Sequence, residues 1–133
     1  MFDMAPIHSA HQAIITANNW QEKYRQIMLL AKHIPQLADE WKQDNAKVNG
    51  CESQAWLYHH CIDNHHYWLI DSDARIVKGL AGLLLAQLQG KTEAEIAGFD
   101  TQTYFAALGL AGQLSPSRTG GLTAMAAKML TGN

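Results

Sequence analysis

Residues 53–70 read SQAWLYHHCIDNHHYWLI, and this stretch decides the fold class. Over residues 53–61, Ala55, Leu57 and His59 share one parity, and Gln54, Trp56, Tyr58 and His60 share the other. Successive side chains of a strand point to opposite faces, so this is a two-residue period. Residues 66–70 add Tyr67, Trp68, Leu69 and Ile70. Both runs are short and rich in aromatic residues, which suit a pleated surface. Asp63 and Asn64 between them are turn formers, so the two runs predict a β-hairpin.

On either side of the hairpin the period is helical. Upstream, Trp20, Tyr24, Ile27, Met28, Ala31 and Ile34 recur at three- and four-residue steps. Asn18 or Asn19 caps this helix and Pro35 ends it. A shorter helix over residues 8–17 precedes it, and residues 37–46 form a polar connector. Downstream, Ile76, Val77, Leu80, Leu83, Leu84 and Leu88 line a broad face of a helix that starts at Ala74. Ser72 or Asp73 is its N-cap and Gly90 its stop. It is apolar nearly all round, which predicts a buried central helix. Gly79 and Gly82 within it predict close packing against the sheet. Thr92 and Glu95 make a capping box for a short helix, and residues 101–108 form another. Ser115-Pro116 opens the last helix, with Leu122, Met125, Ala126 and Met129 inward. The expected architecture is α+β: one domain over residues 1–133, with helices packed on one face of a small three-stranded antiparallel sheet.

Composition bounds the function. The 133 residues are 47% hydrophobic and 17% charged, which is enough apolar material for a core and excludes wholesale disorder. The net charge is −2 and the lysines and arginines are scattered, so no nucleic-acid surface is indicated. The longest apolar run, residues 79–86, is far below the ~20 residues that span a bilayer. Residues 1–10 carry Asp3 and show no cationic region followed by an apolar one, so no secretory signal is visible. A soluble, cytoplasmic protein with no membrane partner is expected. Cys51 and Cys61 are too few for a disulfide scaffold and read as free thiols.

The stretch Val48-Asn49-Gly50-Cys51-Glu52-Ser53 is the richest in chemistry. Asn-Gly is a strong two-residue hairpin signal, because both residues tolerate positive φ. It places Cys51 directly after a tight turn, at a sheet edge or loop tip. Nucleophilic sulfur chemistry needs an accessible, mobile thiolate, and a turn supplies access and mobility. The plain alternative is a small apolar residue in a loop. Cys61 ends a strand beside the Asp63-Asn64 turn and reads as a partly buried packing residue.

Residues 59–66, HHCIDNHH, have the composition of a metal box. Neighbours on a hairpin point to opposite faces, however, and no second ligand pair stands at zinc-finger spacing. An exposed polar hairpin is the stronger reading. Asp71-Ser72-Asp73 suits helix capping better than cation binding, because acids favour the positive helix end. Arg118, in the first turn of the last helix, opposes that dipole, so its placement needs an anion or a carboxylate such as Asp73. Gly120-Gly121 beside it hints at close backbone approach. There is no Gly-rich phosphate loop, G-x-S-x-G, H-E-x-x-H or C-x-x-C, and no nucleotide or organic cofactor is expected.

Four segments together resemble the SufE family with its CsdE branch. The first is Trp20-x-x-Lys23-Tyr24 with its helix ending at Ile34-Pro35. The second is Val48-x-Gly50-Cys51-x-Ser53-x-x-Trp56. The third is Asp71-Ser72-Asp73-Ala74-x-Ile76-Val77-Lys78-Gly79-Leu80, and the fourth is Leu114-Ser115-Pro116-Ser117-Arg118-x-x-Gly121-Leu122. The resemblance runs from about Asn18 to Met129. It implies an α+β fold similar to the IscU-type scaffold. It also implies a protein that takes sulfane sulfur from a pyridoxal-phosphate cysteine desulfurase, stimulates that enzyme, and passes the sulfur on for iron–sulfur cluster assembly. By motif match the persulfide acceptor is Cys51, preceded by Gly50, and Cys61 inherits no role; the dipole argument separately adds Arg118, held by Asp73 or by the sulfur anion itself, as support for the site. Family members hold no pyridoxal phosphate themselves. The competing reading is a metal-binding or iron–sulfur scaffold protein using Cys51, Cys61 and the hairpin histidines. An IscU-type scaffold uses three cysteines and this chain has two.

Overall fold

In the computed structural model, residues 3–50, 53–110 and 112–131 are described. Strands β1 (Ala55–Ile62) and β2 (His65–Ser72) pair antiparallel, from Ala55 opposite Ser72 to Ile62 opposite His65. Asp63 and Asn64 close the hairpin with φ of 51° and 67°. Positive φ at both central residues gives the turn whose twist matches the strands.

Among the described residues the sheet has two strands, not the expected three. The third is reduced to a single bridge, Lys47 opposite Trp56, beside a 2.9 Å bond from the Val48 N–H to the Ala55 carbonyl. A 3₁₀ turn over Asp44–Ala46 ends just before the bridge, and the Asn49-Gly50 turn begins just after it. No length is left for a strand.

Helices α1 (Ala5–Thr16) and α2 (Trp20–Leu30) come first, and the Asn19 side chain caps α2 by accepting from the Glu22 N–H at 2.8 Å. Helix α3 (Arg75–Leu88) is central, with Leu80, Leu83, Leu84 and Leu85 fully buried. The hairpin's inner face, Leu57, Trp68 and Ile70, joins the same core. The glycines of α3 correct an expectation. A Cβ on Gly79 would stand 2.8 Å from Cγ2 of Ile27, and one on Gly82 would stand 2.7 Å from Cδ1 of Ile34. They let α2 and the turn after it approach α3, rather than the sheet.

Helix α4 (Glu93–Ala97) opens with the Thr92–Glu95 capping box. Helix α5 (Thr101–Ala107) is capped by Asp100 and tied to α3 by the Tyr104 hydroxyl, which donates to the Leu83 carbonyl at 2.7 Å. Burial pushes that phenol above its ordinary range, which keeps the donor proton in place. Helix α6 (Pro116–Leu130) turns Leu122, Met125, Ala126 and Met129 inward, as expected. Among the described residues, no helix is long and apolar enough to cross a membrane.

Candidate functional site

The loop over residues 49–54 leaves and rejoins the fold at one point, the bond between Val48 and Ala55. Cys51 and Glu52 lie outside the described residues, so the site is defined by what holds the loop's two ends. Gly50 leads into it with φ of 89°, a conformation that favours glycine. Asn49 has no positive φ, so the Asn-Gly pair does not form the expected two-residue hairpin turn but opens a longer loop.

The inner flank of the loop rests on α6. A Cβ on Gly120 would lie 3.9 Å from the Gly50 carbonyl oxygen, and Cβ of Ala124 is 3.5 Å from where a Gly50 Cβ would stand. The approach inferred from Gly120-Gly121 is therefore present, with Gly121 buried and Gly120 facing the loop. One helical period further, Lys128 Nζ donates to the carbonyls of Ala46 (3.4 Å) and Lys47 (3.1 Å).

The far end of the loop is gripped by the β2–α3 turn. The Gln54 N–H donates to the Asp73 carboxylate at 3.1 Å, and the Asp73 N–H donates to the Gln54 carbonyl at 3.1 Å. The Ser72 hydroxyl donates to the same carbonyl at 2.7 Å. Beneath this, Asp71 is buried and fully partnered. It accepts from the N–H groups of Leu37 and Ser72, each at 2.9 Å, and pairs with Lys78 at 2.9 Å. A buried carboxylate is tolerable when its lone pairs are filled in this way.

These contacts overturn two expectations. Ser72 and Asp73 do not cap α3; its N-cap is Ala74, without a side-chain cap bond. The carboxylates face the loop and the interior instead. Nor does Asp73 pair with Arg118: no ion pair among the described residues includes that arginine, which is exposed in the first turn of α6. Its backbone N–H is taken by the Ser115 cap.

The hairpin tip is a separate place. Cys61 is a free thiol and exposed, not the partly buried packing residue expected. The histidines are not a bare polar surface either. His59 Nε2 and His66 Nδ1 are 2.7 Å apart, His66 Nε2 is 2.6 Å from Glu93, and His65 Nδ1 is 2.8 Å from the Gly90 carbonyl. Cys61 Sγ stands 4.0 Å from His66 Nε2. Among the described residues no three His, Cys, Asp or Glu side chains are placed to hold a metal ion. Both nitrogens of His66 are already engaged. Cys61 is also six residues along β1 from Ala55, about 20 Å from the loop's end of the strand. That separation counts against a scaffold site joining Cys51, Cys61 and the histidines.

Sequence reasoning singled out Gly50, Asp73 and the Gly120-Gly121 approach, and it gave no sign of three further contacts. Lys128, in the last turn of α6, is locally explained as a cation at a helix C-terminus, which hides its reach to the loop. Nothing local marks the Gln54 backbone as the gripped element. Glu93 gave no sign that it would reach His66.

A protein-family model described as "SufE: Fe-S metabolism associated domain" matches residues 9–132. The sulfur acceptor protein CsdE of Escherichia coli (strain K12) is 41% identical over 107 residues, covering 80% of this chain and 73% of that protein. An uncharacterised SufE-like protein of Rhizobium etli is 36% identical over 126 residues, covering 92% of this chain and 85% of its own. The solution structure of a hypothetical protein from Thermus thermophilus superposes with a TM-score of 0.73 at 16% identity, covering 98% of this chain and 94% of that one. That last likeness speaks for the α+β fold alone. The model match spans nearly the whole chain, including the gripped loop and the α6 face beneath it, and on that extent the chain belongs to the SufE family.

Proposed function

We propose that this chain accepts sulfane sulfur from a pyridoxal-phosphate cysteine desulfurase, carries it as a persulfide on Cys51, and passes it on for iron–sulfur cluster assembly in a reducing cytoplasm. The observation that carries the reading is the 41% identity to a sulfur acceptor protein across 80% of the chain. The loop geometry supports it. A carrier thiol has to reach into a partner's active site and then withdraw. A loop whose ends are tied at Val48 and Gln54, with Gly50 beside Gly120 and Ala124, suits that task.

The chemistry needs no cofactor in this chain. The Cys51 thiolate attacks the outer sulfur of the donor's persulfide. A new S–S bond forms on Cys51 as the donor's S–S bond breaks, and the electron pair leaves on the donor cysteine. Nothing is oxidised or reduced overall and no sulfide is released. An ordinary thiol, with a pKa of about 8.5, is only a few per cent thiolate at neutral pH. Arg118, exposed in the first turn of α6, is the cation this reading assigns to the support of that thiolate.

The test is intact mass after incubation with a cysteine desulfurase and L-cysteine. Wild type is expected to gain one sulfur atom, lost again on reduction, and Cys51→Ser to gain none. A gain that survives Cys51→Ser and disappears in Cys61→Ser would assign the acceptor to the hairpin tip.

A further inference from the structure

The hairpin has two unlike faces. Leu57, Trp68 and Ile70 belong to the core. The opposite parity carries Tyr58, opposite Leu69, and Ile62, opposite His65. A 3₁₀ turn over Asp39–Trp41 lies against this outer face. The Tyr58 hydroxyl donates to the Trp41 carbonyl at 2.6 Å, and the two rings meet edge to face with centroids 5.5 Å apart. Trp41 is 53% exposed, Ile62 47% and Leu69 39%. Among the described residues one other large hydrophobic side chain is exposed, Ile15 on α1. Three of these four side chains thus gather on one face. The outward positions from Tyr58 to Ile62 and from His65 to Leu69 hold no Asp, Glu, Lys or Arg. Charge stands at the rim, where Lys42 Nζ lies 3.7 Å from the Asp39 carboxylate. An uncharged aromatic and aliphatic centre with a charged rim is the anatomy of a protein–protein interface.

The patch also adjoins the described ends of the 49–54 loop. Tyr58 stands three residues along β1 from Ala55, whose carbonyl takes the Val48 N–H, a distance of about 10 Å. One side of a standard interface covers about 800 Å², a disc of roughly 16 Å radius. A protein that meets Gly50 and Gln54 therefore reaches Tyr58, Trp41 and Leu69 as well. A second copy of this chain seated on the same face would obstruct that approach, which favours the sulfur donor as the occupant.

We propose that Trp41, Tyr58 and Leu69 form a docking surface for the pyridoxal-phosphate cysteine desulfurase, a reading that rests on the proposed acceptor function. The two rings and the leucine bury against an apolar surface of that enzyme and hold the complex together. They take no part in the movement of sulfur.

The experiment is calorimetric titration of a cysteine desulfurase with the Cys51→Ser protein, alone and carrying Leu69→Lys, Trp41→Ala or Ile15→Lys, beside a thermal melt of each. Leu69→Lys sets a charge at the centre of the patch, and Trp41→Ala removes its largest side chain. Each is expected to raise Kd about tenfold or more, as loss of a central interface anchor does. The melts are expected to move little, because both side chains are exposed. Ile15→Lys places the same charge on the exposed isoleucine of α1 and is expected to leave Kd within about twofold of the parent, as a surface change outside the contact does. An unchanged Kd in either Leu69→Lys or Trp41→Ala overturns the proposal. So does equal weakening by Ile15→Lys, and so does weakening that follows a fallen thermal midpoint, which would place the residues in the fold. A parent protein that elutes as a dimer, made monomeric by Leu69→Lys with Kd unchanged, would give the face to a second copy and overturn the proposal too. Binding by Cys51→Ser requires no sulfur transfer. A desulfurase that binds through the patch but loads no sulfur on wild-type Cys51 would therefore refute the acceptor assignment alone, while normal loading and affinity in Leu69→Lys would refute the docking surface alone.

Discussion

Helix α3 is enclosed by α1, α2, the hairpin and α6, and its leucines are removed from water altogether. The described ends of the loop over residues 49–54 meet the same molecule through a few hydrogen bonds to backbone and one narrow helix face. The first region is held by area and close packing, terms that are large and non-directional. The second is held by bonds of about 1 kcal/mol each, which a partner surface can replace. A carrier protein needs both: a core that does not notice the loop moving, and a loop whose anchors open at low cost.

The largest expected effect therefore lies in α3. Leu84 is fully buried, and Leu84→Ala is expected to lower unfolding stability by roughly 2–5 kcal/mol, through lost transfer energy and the cavity left behind. Cys51→Ser, nearly isosteric and in the loop, is expected to change stability by less than about 0.5 kcal/mol. Urea titration of the two variants decides the matter. Equal losses would mean that the loop belongs to the core, and the contrast between the regions would fail.

Asp73→Ala is the intermediate case. It removes the acceptor for the Gln54 N–H but leaves the Asp73 backbone bond and the Ser72 bond in place. The site is exposed, so a loss of about 1 kcal/mol is expected, confined to the loop. Amide exchange at Gln54 should accelerate clearly, with the amides of α3 unmoved. Acceleration throughout α3 would show that the β2–α3 turn supports the whole fold rather than the loop.

What was legible in the sequence was local. The Asp63-Asn64 turn, the alternation along β1, the Asn19 cap, the Thr92–Glu95 box and the leucine face of α3 each follow from neighbours within a few residues. Several misreadings concern partners distant in sequence. Asp71 and Asp73 carried the signal of a helix cap, yet they answer to Leu37, Gln54 and Lys78. Gly79 and Gly82 announced a close approach without naming Ile27 and Ile34 as the neighbours. The third strand failed because a turn on each side of Lys47 left it a single bridge. For the site, the family resemblance pointed to Cys51, while the bonds of Lys128 to the Ala46 and Lys47 carbonyls come from more than eighty residues away in the chain.

The smallest effect on stability, and the sharpest separation of fold from function, is expected at Arg118. It stands in the first turn of α6, where a cation opposes the positive helix end by several tenths of a kcal/mol. Among the described residues no carboxylate offsets this, and the side chain is exposed. Local energetics thus favour almost any neutral residue there. Arg118→Ala is expected to leave the thermal midpoint unchanged or raise it by about 1–2 °C. The same variant is expected to accept sulfur about threefold to tenfold more slowly at fixed desulfurase, as the proposed role of Arg118 in supporting the Cys51 thiolate requires. Persulfide formation followed by intact mass, beside a thermal melt, reads both quantities from one preparation. A slower rate with an unchanged or higher midpoint would place Arg118 with the loop. A normal rate would make it a solvated surface residue, and a fallen midpoint would move it to the structural side of the comparison.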